Sequence, residues 1–542
     1  RYRIVAGDTR ALPVRVPYPD DPSLNFAYFV YDGVPDYLTT ETTHRASTLT
    51  ELPVYHMITR DEDRAYAYAY DRNQIPKGHA ARGIYNWECS LVYDGVVYDH
   101  VAWRLRQNND RYAGRGKRSM RFRLNRGHYF QARGENGDKL SVKWKRFSTS
   151  KMSRFGGINS YGIHETINSR LWRMVGVECP YFFPAHWRMI DGTGEAPDQY
   201  NGDFFGFTTI VQDIDGRLLD ERGLPNGNMY KLKDGATNPL ELQRNQTRTA
   251  VSDGSDFLNI KNNLASRQSD AWLRDHVDWD QWARYHAVVE AVRHYDYGTP
   301  STHFKNRAWY FKEQADTPHG LLRIVPHDHD ASWSKGYHDN LNGTGNSIGT
   351  GFPWAAIFDD IRRPPSGSEK VDFTRDYRNF IREFRQLLWQ EETVNTMIDD
   401  HVLMLRQFSL ADRDRWVGGP AAAGRESMTA IENIATPMKS LAFVSDTMYG
   451  SELAGGRAAL LDQIANEIAI PDQPTISYTG AAGFPVGELE FTSSNFSDPQ
   501  GGGTFGNLEW RIAEVTPLES GAGSDILLPG ATWKFLDDGS DQ

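Results

Sequence analysis

Cysteine is nearly absent from this chain, with only Cys89 and Cys179 in 542 residues. That scarcity excludes a disulfide framework and leaves either two packed thiols or a single bridge. Long apolar runs are missing too. No stretch approaches the ~20 apolar residues that a spanning helix needs, so no membrane span is expected. Positive charge is not in excess either. The formal net charge is -11, which argues against nucleic acid or an anionic membrane as the main partner. The sequence opens at Arg1 and not at Met, so processing is expected and the lack of a leader carries no weight. No solenoid-type repeat is visible.

What is present suffices for folded cores: 39% of residues are hydrophobic and 12% aromatic. The length predicts a large catalytic-type domain plus an accessory one. The most informative stretch is LLRIVPHDHDASWS (321–334). Leu321, Leu322, Ile324 and Val325 read as a short apolar strand that Pro326 ends. Asp328 and Asp330 follow, two residues apart, and an extended backbone would point both the same way. Carboxylates so close repel unless a cation lies between them or one keeps a proton. Upstream, Asp296 (RHYDYG) and Asn306 (HFKNRAWYF) add oxygen donors next to a second strand-like run. Hard oxygen ligands at adjacent strand ends suit a magnesium–phosphate site. A capping or turn role for Asp-x-Asp is the bland alternative. A metal-dependent phosphoesterase built on Asp328, Asp330, His327 and His329, with His294, His303 and His338 in reserve, is a further one. Alternation, however, lets only the two His or only the two Asp converge on one ion.

Along the chain, residues 1–60 are β- and loop-rich. WECSLVYDGVVYDHVAWRLRQ (87–107) predicts a hairpin turning at Asp94-Gly95. SMRFRLNRG alternates Arg121 and Arg123 with Met120, Phe122 and Leu124, placing cations on one face and apolar groups on the other. Lys117, just before it, joins Arg121 and Arg123 as candidates for phosphate, and Gly114 and Gly116 would let backbone approach closely. A solvated basic strand face is the competing reading. Ile163, Ile167, Leu171 and Val175 have helical spacing. FFGFTTIVQDID (204–215) and NMYKLKDG (228–235) read as strands. Trp272, Trp279, Trp282, His286 and Val289 are expected to pack inward from helix, and helical runs recur over 374–408, 424–446 and 452–469. PDQPTISYTG (471–480) breaks the pattern, and alternating segments with Gly-rich turns follow, as in a small β-sandwich. The final GATWKFLDDGSDQ begins a further hydrophobic pattern. A β-rich front with a basic strand and a helical back suits a two-lobed phosphotransferase.

The ordered motifs resemble the spore-coat protein H (CotH) kinase family. RLRQNNDRYAGRGKRSMRFRLNRG, INSYGIHETINSRLWRMVGVECP, YNGDFFGFTTIVQDID, HFKNRAWYF and IVPHDHDASW are similar, in that order, to five of its elements. The resemblance covers roughly 90–335 in motifs and the helical region to about 465 in pattern. It implies an α+β, atypical two-lobed protein-kinase-like fold, with a β-rich N-lobe, a helical C-lobe and a small C-terminal β-sandwich. The expected layout is an N-terminal extension over 1–86, the kinase-like domain over 87–470, and the sandwich with the start of a further segment over 471–542.

The resemblance also implies ATP with Mg²⁺ (or Mn²⁺), transfer of the γ-phosphate to Ser or Thr, and an exported or surface protein as acceptor, hence a secreted or surface location. Asp296 falls on the family's catalytic aspartate, and Asn306, Asp328 and Asp330 on its metal-binding positions. Lys117 matches the basic position before the strand, with Arg121 and Arg123 beside it and Glu165 expected to orient the lysine. Gln212, in the cofactor-binding set, stands where the family has Glu, with Asp213 adjacent. His327 replaces a Trp, Gln107 a Gly, and Lys335 separates the aromatic from Gly336. These departures leave a second reading: a non-catalytic surface-binding or adhesion protein on the same fold. Oligomeric state is left open.

Overall fold

The computed structural model describes residues 4–6, 14–16, 28–30, 33–69, 84–85, 87–106, 117–150, 161–192, 203–231, 250–263, 269–294, 306–314, 317–333, 371–417, 430–448, 451–465, 471–483, 485, 487–499 and 501–505. Two short antiparallel pairs come first, β1 (Ile4–Ala6) with β2 (Val14–Val16) and β3 (Tyr37–Leu38) with β4 (Thr43–His44), then α1 (Ala46–Leu49). The next strands are β5 (Val54–Ile58), β6 (Trp87–Tyr93), β7 (Val96–Leu105), β8 (Met120–Arg123), β9 (Arg146–Ser150), β10 (Phe182–Ile190) and β11 (Phe204–Gln212). Helix α2 (Asp61–Ala69) follows β5, and α3 (Ile163–Met174) precedes β10.

β5 to β11 close a barrel in the order β10-β11-β9-β8-β7-β6-β5. The ring shuts where β10 pairs with β5 in parallel, His186 opposite Val54; the other junctions are antiparallel.

Local chemistry accounts for much of this. Asp94 and Gly95 have φ of 51° and 72°, the left-handed pair that a two-residue hairpin requires, and they join β6 to β7 as expected. In β8, Met120 and Phe122 are buried while Arg121 and Arg123 face outward, so the alternation in the sequence is the alternation of the strand. An aromatic chain fills the barrel: Tyr55 stacks on Tyr93 at 4.1 Å, and Phe122 meets both Phe147 and Trp187. β11 has no alternation and every residue in it is buried, the mark of a strand covered on both faces.

After β11 come α4 (Gly216–Glu221), β12 (Asn228–Lys231), α5 (Ser255–Asn263), α6 (Asp270–His276), α7 (Trp279–Ala291), β13 (Arg307–Gln314) and β14 (Thr317–Pro326). β12, β13 and β14 form a three-stranded antiparallel sheet in that order. Trp279, Trp282, His286 and Val289 are buried as expected, and Trp272 is partly so. Then follow α8 (Val371–Leu387), α9 (Glu391–Trp416), α10 (Glu432–Phe443), the hairpin β15 (Ser445–Met448) and β16 (Ser451–Ala454), and α11 (Gly456–Ala465). A last antiparallel pair joins β17 (Ile476–Tyr478) to β18 (Phe491–Ser493).

The content is mixed helix and sheet, in keeping with the α+β expectation. Of the expected C-terminal sandwich, the described residues hold the β17–β18 pair, and 506–542 lie outside them. Cys89 and Cys179 are buried and not joined in a disulfide, so the packed-thiol alternative is the correct one. Among the described residues, no helix is long and apolar enough to cross a membrane.

The outer cover of β11 is α9. Trp416 donates its indole N–H to the Phe205 carbonyl at 2.8 Å, and Asp412 Oδ1 accepts from Phe207 N at 2.8 Å. Both oxygens of Asp412 also hold the Lys117 ammonium at 2.7 Å, with both side chains sealed from solvent. Gly206, at φ +93°, makes room for this: a Cβ there would lie 2.2 Å from Asp412 Oδ1. Asp412→Ala would leave a buried ammonium without this carboxylate, at a cost of about 3–5 kcal/mol. Gly206→Ala combines backbone strain with a clash, for roughly 2–4 kcal/mol. Urea unfolding followed by fluorescence measures both; a loss below about 1 kcal/mol in each would contradict a close-packed ion pair at this junction.

Candidate active site

The strand expected over 321–325 is β14, and Pro326 ends it. Beyond it the backbone does not stay extended. Asp328 adopts φ +54°, a left-handed conformation that a short polar residue tolerates. The consequence is a split along HDHD. Asp328 is exposed, Asp330 is half-buried, and His329 between them is fully buried. Its ring packs edge-on against Trp172 and Phe182, with Nε2 3.9 Å from the Cys179 thiol. Burial holds His329 well below the ordinary imidazole value, and it holds the Cys179 thiol up at about 12. His329 is thus a neutral packing group, which removes it from the phosphoesterase reading and leaves the carboxylates on the outside.

Helix α3 fixes this loop. Ile163, Ile167 and Leu171 point into the core, as their spacing predicts. The neighbouring face carries His164, Glu165 and Asn168. The Asn168 amide donates to the His329 carbonyl at 3.0 Å and to Ser332 Oγ at 2.8 Å. Its Oδ1 accepts from the Trp333 indole at 2.6 Å. His164 Nδ1 lies 3.2 Å from the Asp330 carbonyl. Asn306, buried and at φ +64°, accepts from His327 N through its carbonyl at 3.2 Å, which ties the start of β13 to the same loop.

Glu165 is the least comfortable group here. It is buried, and among the described residues its Oε2 has no hydrogen-bond partner. Burial holds its carboxyl well above the ordinary 4.5, and the negative charges of Asp330 and Asp328 push it further, while Arg106 opposes them. Three carboxyl groups and one guanidinium therefore share this place by electrostatics. Among the described residues, however, no group of three or more His, Cys, Asp or Glu side chains is gathered closely enough to hold a metal ion alone.

The basic residues are placed differently from the expectation. Lys117 was assigned Glu165 as its orienter; the structure gives its ammonium Asp412. Arg121 is paired with Asp213, which Arg146 also approaches at 3.9 Å. Arg123 lies over the Tyr85 ring at 4.8 Å and is exposed. Gln212 is buried in β11, where its Oε1 accepts from Tyr181 N at 3.2 Å, a structural use of the side chain. Asp296, Gln107, Gly114, Gly116, His303, Lys335, Gly336 and His338 lie outside the described residues. Sequence reasoning missed Asp412 and Arg106. Asp412 falls at helical spacing with Phe408 and Trp416, so a carboxylate on a buried helix face was a usable signal. Arg106 stood in the RLRQ motif without a role.

With this geometry in view, the comparisons with known proteins bear on the region that holds it. The family described as CotH kinase protein matches residues 168–436 of the chain. The match runs from Asn168 through β14 and its loop into α10. A kinase-type function is what this match supports. Among solved structures, the chain is similar to a Helicobacter pylori proinflammatory kinase, CtkA, at 9% identity, over 56% of this chain and 94% of that one. The TM-score is 0.21, too low for that likeness to bear on the fold. No curated protein matches the chain.

The raised Glu165 carboxyl sets a sign for pH dependence. Between 4.5 and the folded value, the folded chain keeps a proton that the unfolded chain has released. Its stabilising contribution is therefore complete below 4.5 and is lost as pH rises through the folded value. In metal-free buffer, Glu165→Gln is expected to melt above wild type near pH 8 and to converge with it toward about pH 4.5. Melting curves across pH check this; a difference independent of pH would place the cause elsewhere.

Proposed function

We propose that the protein is an ATP- and Mg²⁺-dependent kinase (Mn²⁺ being an alternative metal) that transfers the γ-phosphate to Ser or Thr of an exported or surface protein. The observation that carries this reading is the Asp328–Asp330 pair on the loop after β14, inside the CotH-matched span, with Glu165 of α3, just ahead of that span, held against it. A buried carboxyl with an unpartnered oxygen beside two more acids is a place that attracts a cation. A pair of carboxylates suits magnesium, which is commonly held by one or two carboxylates with phosphate and water completing its shell.

In this reading Asp328 and Asp330 hold the metal, with Asn306 supporting them from the start of β13. The bound metal would neutralise charge on the β- and γ-phosphates. Glu165, whose carboxyl is raised by burial and by its two acidic neighbours, is the group that a bound cation would draw back toward the ionised form. Arg106, whose charge already acts on Glu165, and the exposed Arg123 supply positive charge toward phosphate. Lys117 and Arg121 act at one remove, through Asp412 and Asp213. Asp296 orients the acceptor hydroxyl. In the two-lobed arrangement expected of such a kinase, the nucleotide would lie between the β-rich front and the helical back.

A thermal-shift titration with ATP, ADP and GTP, each with and without Mg²⁺ or Mn²⁺, tests this directly. A ligand binding only the folded state stabilises it by about 2.7 kcal/mol at a hundredfold excess over its Kd. The expected result is a shift that needs both nucleotide and metal. Asp328→Asn should abolish the metal-dependent part and change the unliganded stability by less than about 0.5 kcal/mol, since its side chain is exposed. No shift under any combination would end the kinase reading in favour of surface binding without catalysis. Unfolding of Asp328→Asn would make the residue structural.

A further inference from the structure

The loop bearing Asp328 and Asp330 has a second anchor, opposite α3. The Val292 carbonyl, just past α7, accepts from Trp333 N at 2.8 Å, and His294 Nδ1 lies 3.1 Å from the Ala331 carbonyl. Between these two contacts the chain passes through Arg293 at φ +49°, a conformation that a long side chain keeps only where its surroundings impose it. A buried charge network imposes it here. The Arg293 guanidinium bonds Asp446 of β15, whose other oxygen accepts from Arg457 Nη1 of α11 at 3.2 Å. Arg457 also donates Nε to the Glu290 carbonyl at 2.8 Å and meets the Glu290 carboxylate at 3.1 Å. Among the described residues two cations and two carboxylates thus meet, each side chain 5% exposed or less. The planar fork of Arg457 is what lets one residue bond both Asp446 and Glu290, a task a lysine cannot share in the same way.

From this arrangement we infer that Asp446 and Arg457 are positioning residues for the Asp328–Asp330 loop. Acting through Arg293 and Glu290, they fix the turn at 292–294, and that turn holds the backbone of residues 331 and 333. Both residues lie beyond 436, where the family match ends, so the support of the site reaches outside the span by which the family is recognised. The consequence for metal binding rests on the kinase reading; the mechanical link does not.

Hydrogen exchange and metal titration on the full chain separate the two. In Asp446→Asn, the amides of 327–333 should exchange at least about tenfold faster while β10 in the barrel keeps its protection. The Mg²⁺ concentration giving half of the ATP-dependent thermal shift should rise about tenfold, as expected when support for a metal ligand is loosened. Arg457→Lys keeps the charge and loses the fork, and is expected to move both readouts the same way; it carries the comparison if Asp446→Asn does not fold. Unchanged exchange at 327–333, or equal loss of protection in loop and barrel, would overturn the inference. A wild type with no metal-dependent nucleotide shift would end the kinase reading, and the exchange result would still decide the link.

Discussion

Asn168 commits both ends of one buried amide to the loop after β14, and the candidate site depends on that arrangement. The His329 carbonyl, the Ser332 hydroxyl and the Trp333 indole are all buried, and each needs a partner inside the protein. A single planar side chain supplies one to each. With the backbone at 329 and the indole at 333 held together, His329 turns inward, and Asp328 and Asp330 are left facing away from the core. The acidity of the site is thus set by a neutral group. Glu165, three residues earlier on α3, is brought against the same two acids by the same docking, and its raised carboxyl follows from that geometry.

The barrel and the loop meet through α3, whose two faces do different work. Ile163, Ile167 and Leu171 enter the core, while His164, Glu165 and Asn168 address the loop. Helices with one apolar stripe are ordinary. Here the polar stripe is buried as well, so each of its groups has to be answered by hydrogen bonds or carries a cost. His164 and Asn168 are answered. Among the described residues Glu165 Oε2 is not, a contrast between adjacent turns of one helix.

Much of this was legible locally. The Asp94-Gly95 turn, the alternation of Met120 and Phe122 with Arg121 and Arg123, the stripe of α3 and the apolar run of β14 each declare a period or a turn within a few residues. What the sequence does not declare is partnership at a distance. Lys117 and Asp412 lie 295 positions apart, and no local pattern ties them. The inward turn of His329 depends on the left-handed backbone at Asp328, and an extended reading of HDHD misses it. Gln212 reads as a site residue from the motif it occupies, and that its Oε1 accepts from Tyr181 N is a second use no local pattern announces.

The parallel pairing of β5 with β10 gives the molecule an architectural dependence on its early residues. The family match begins at 168, after β5, β6, β7, β8 and β9 have already been laid down. A fragment cut at that boundary would keep only β10 and β11 of the barrel and would expose unpaired backbone along both. Those two strands are rich in Phe, Trp and Ile, so such edges would invite association with other chains. The segment that defines the family by sequence is therefore not a unit that folding would recognise: its boundary crosses a closed ring.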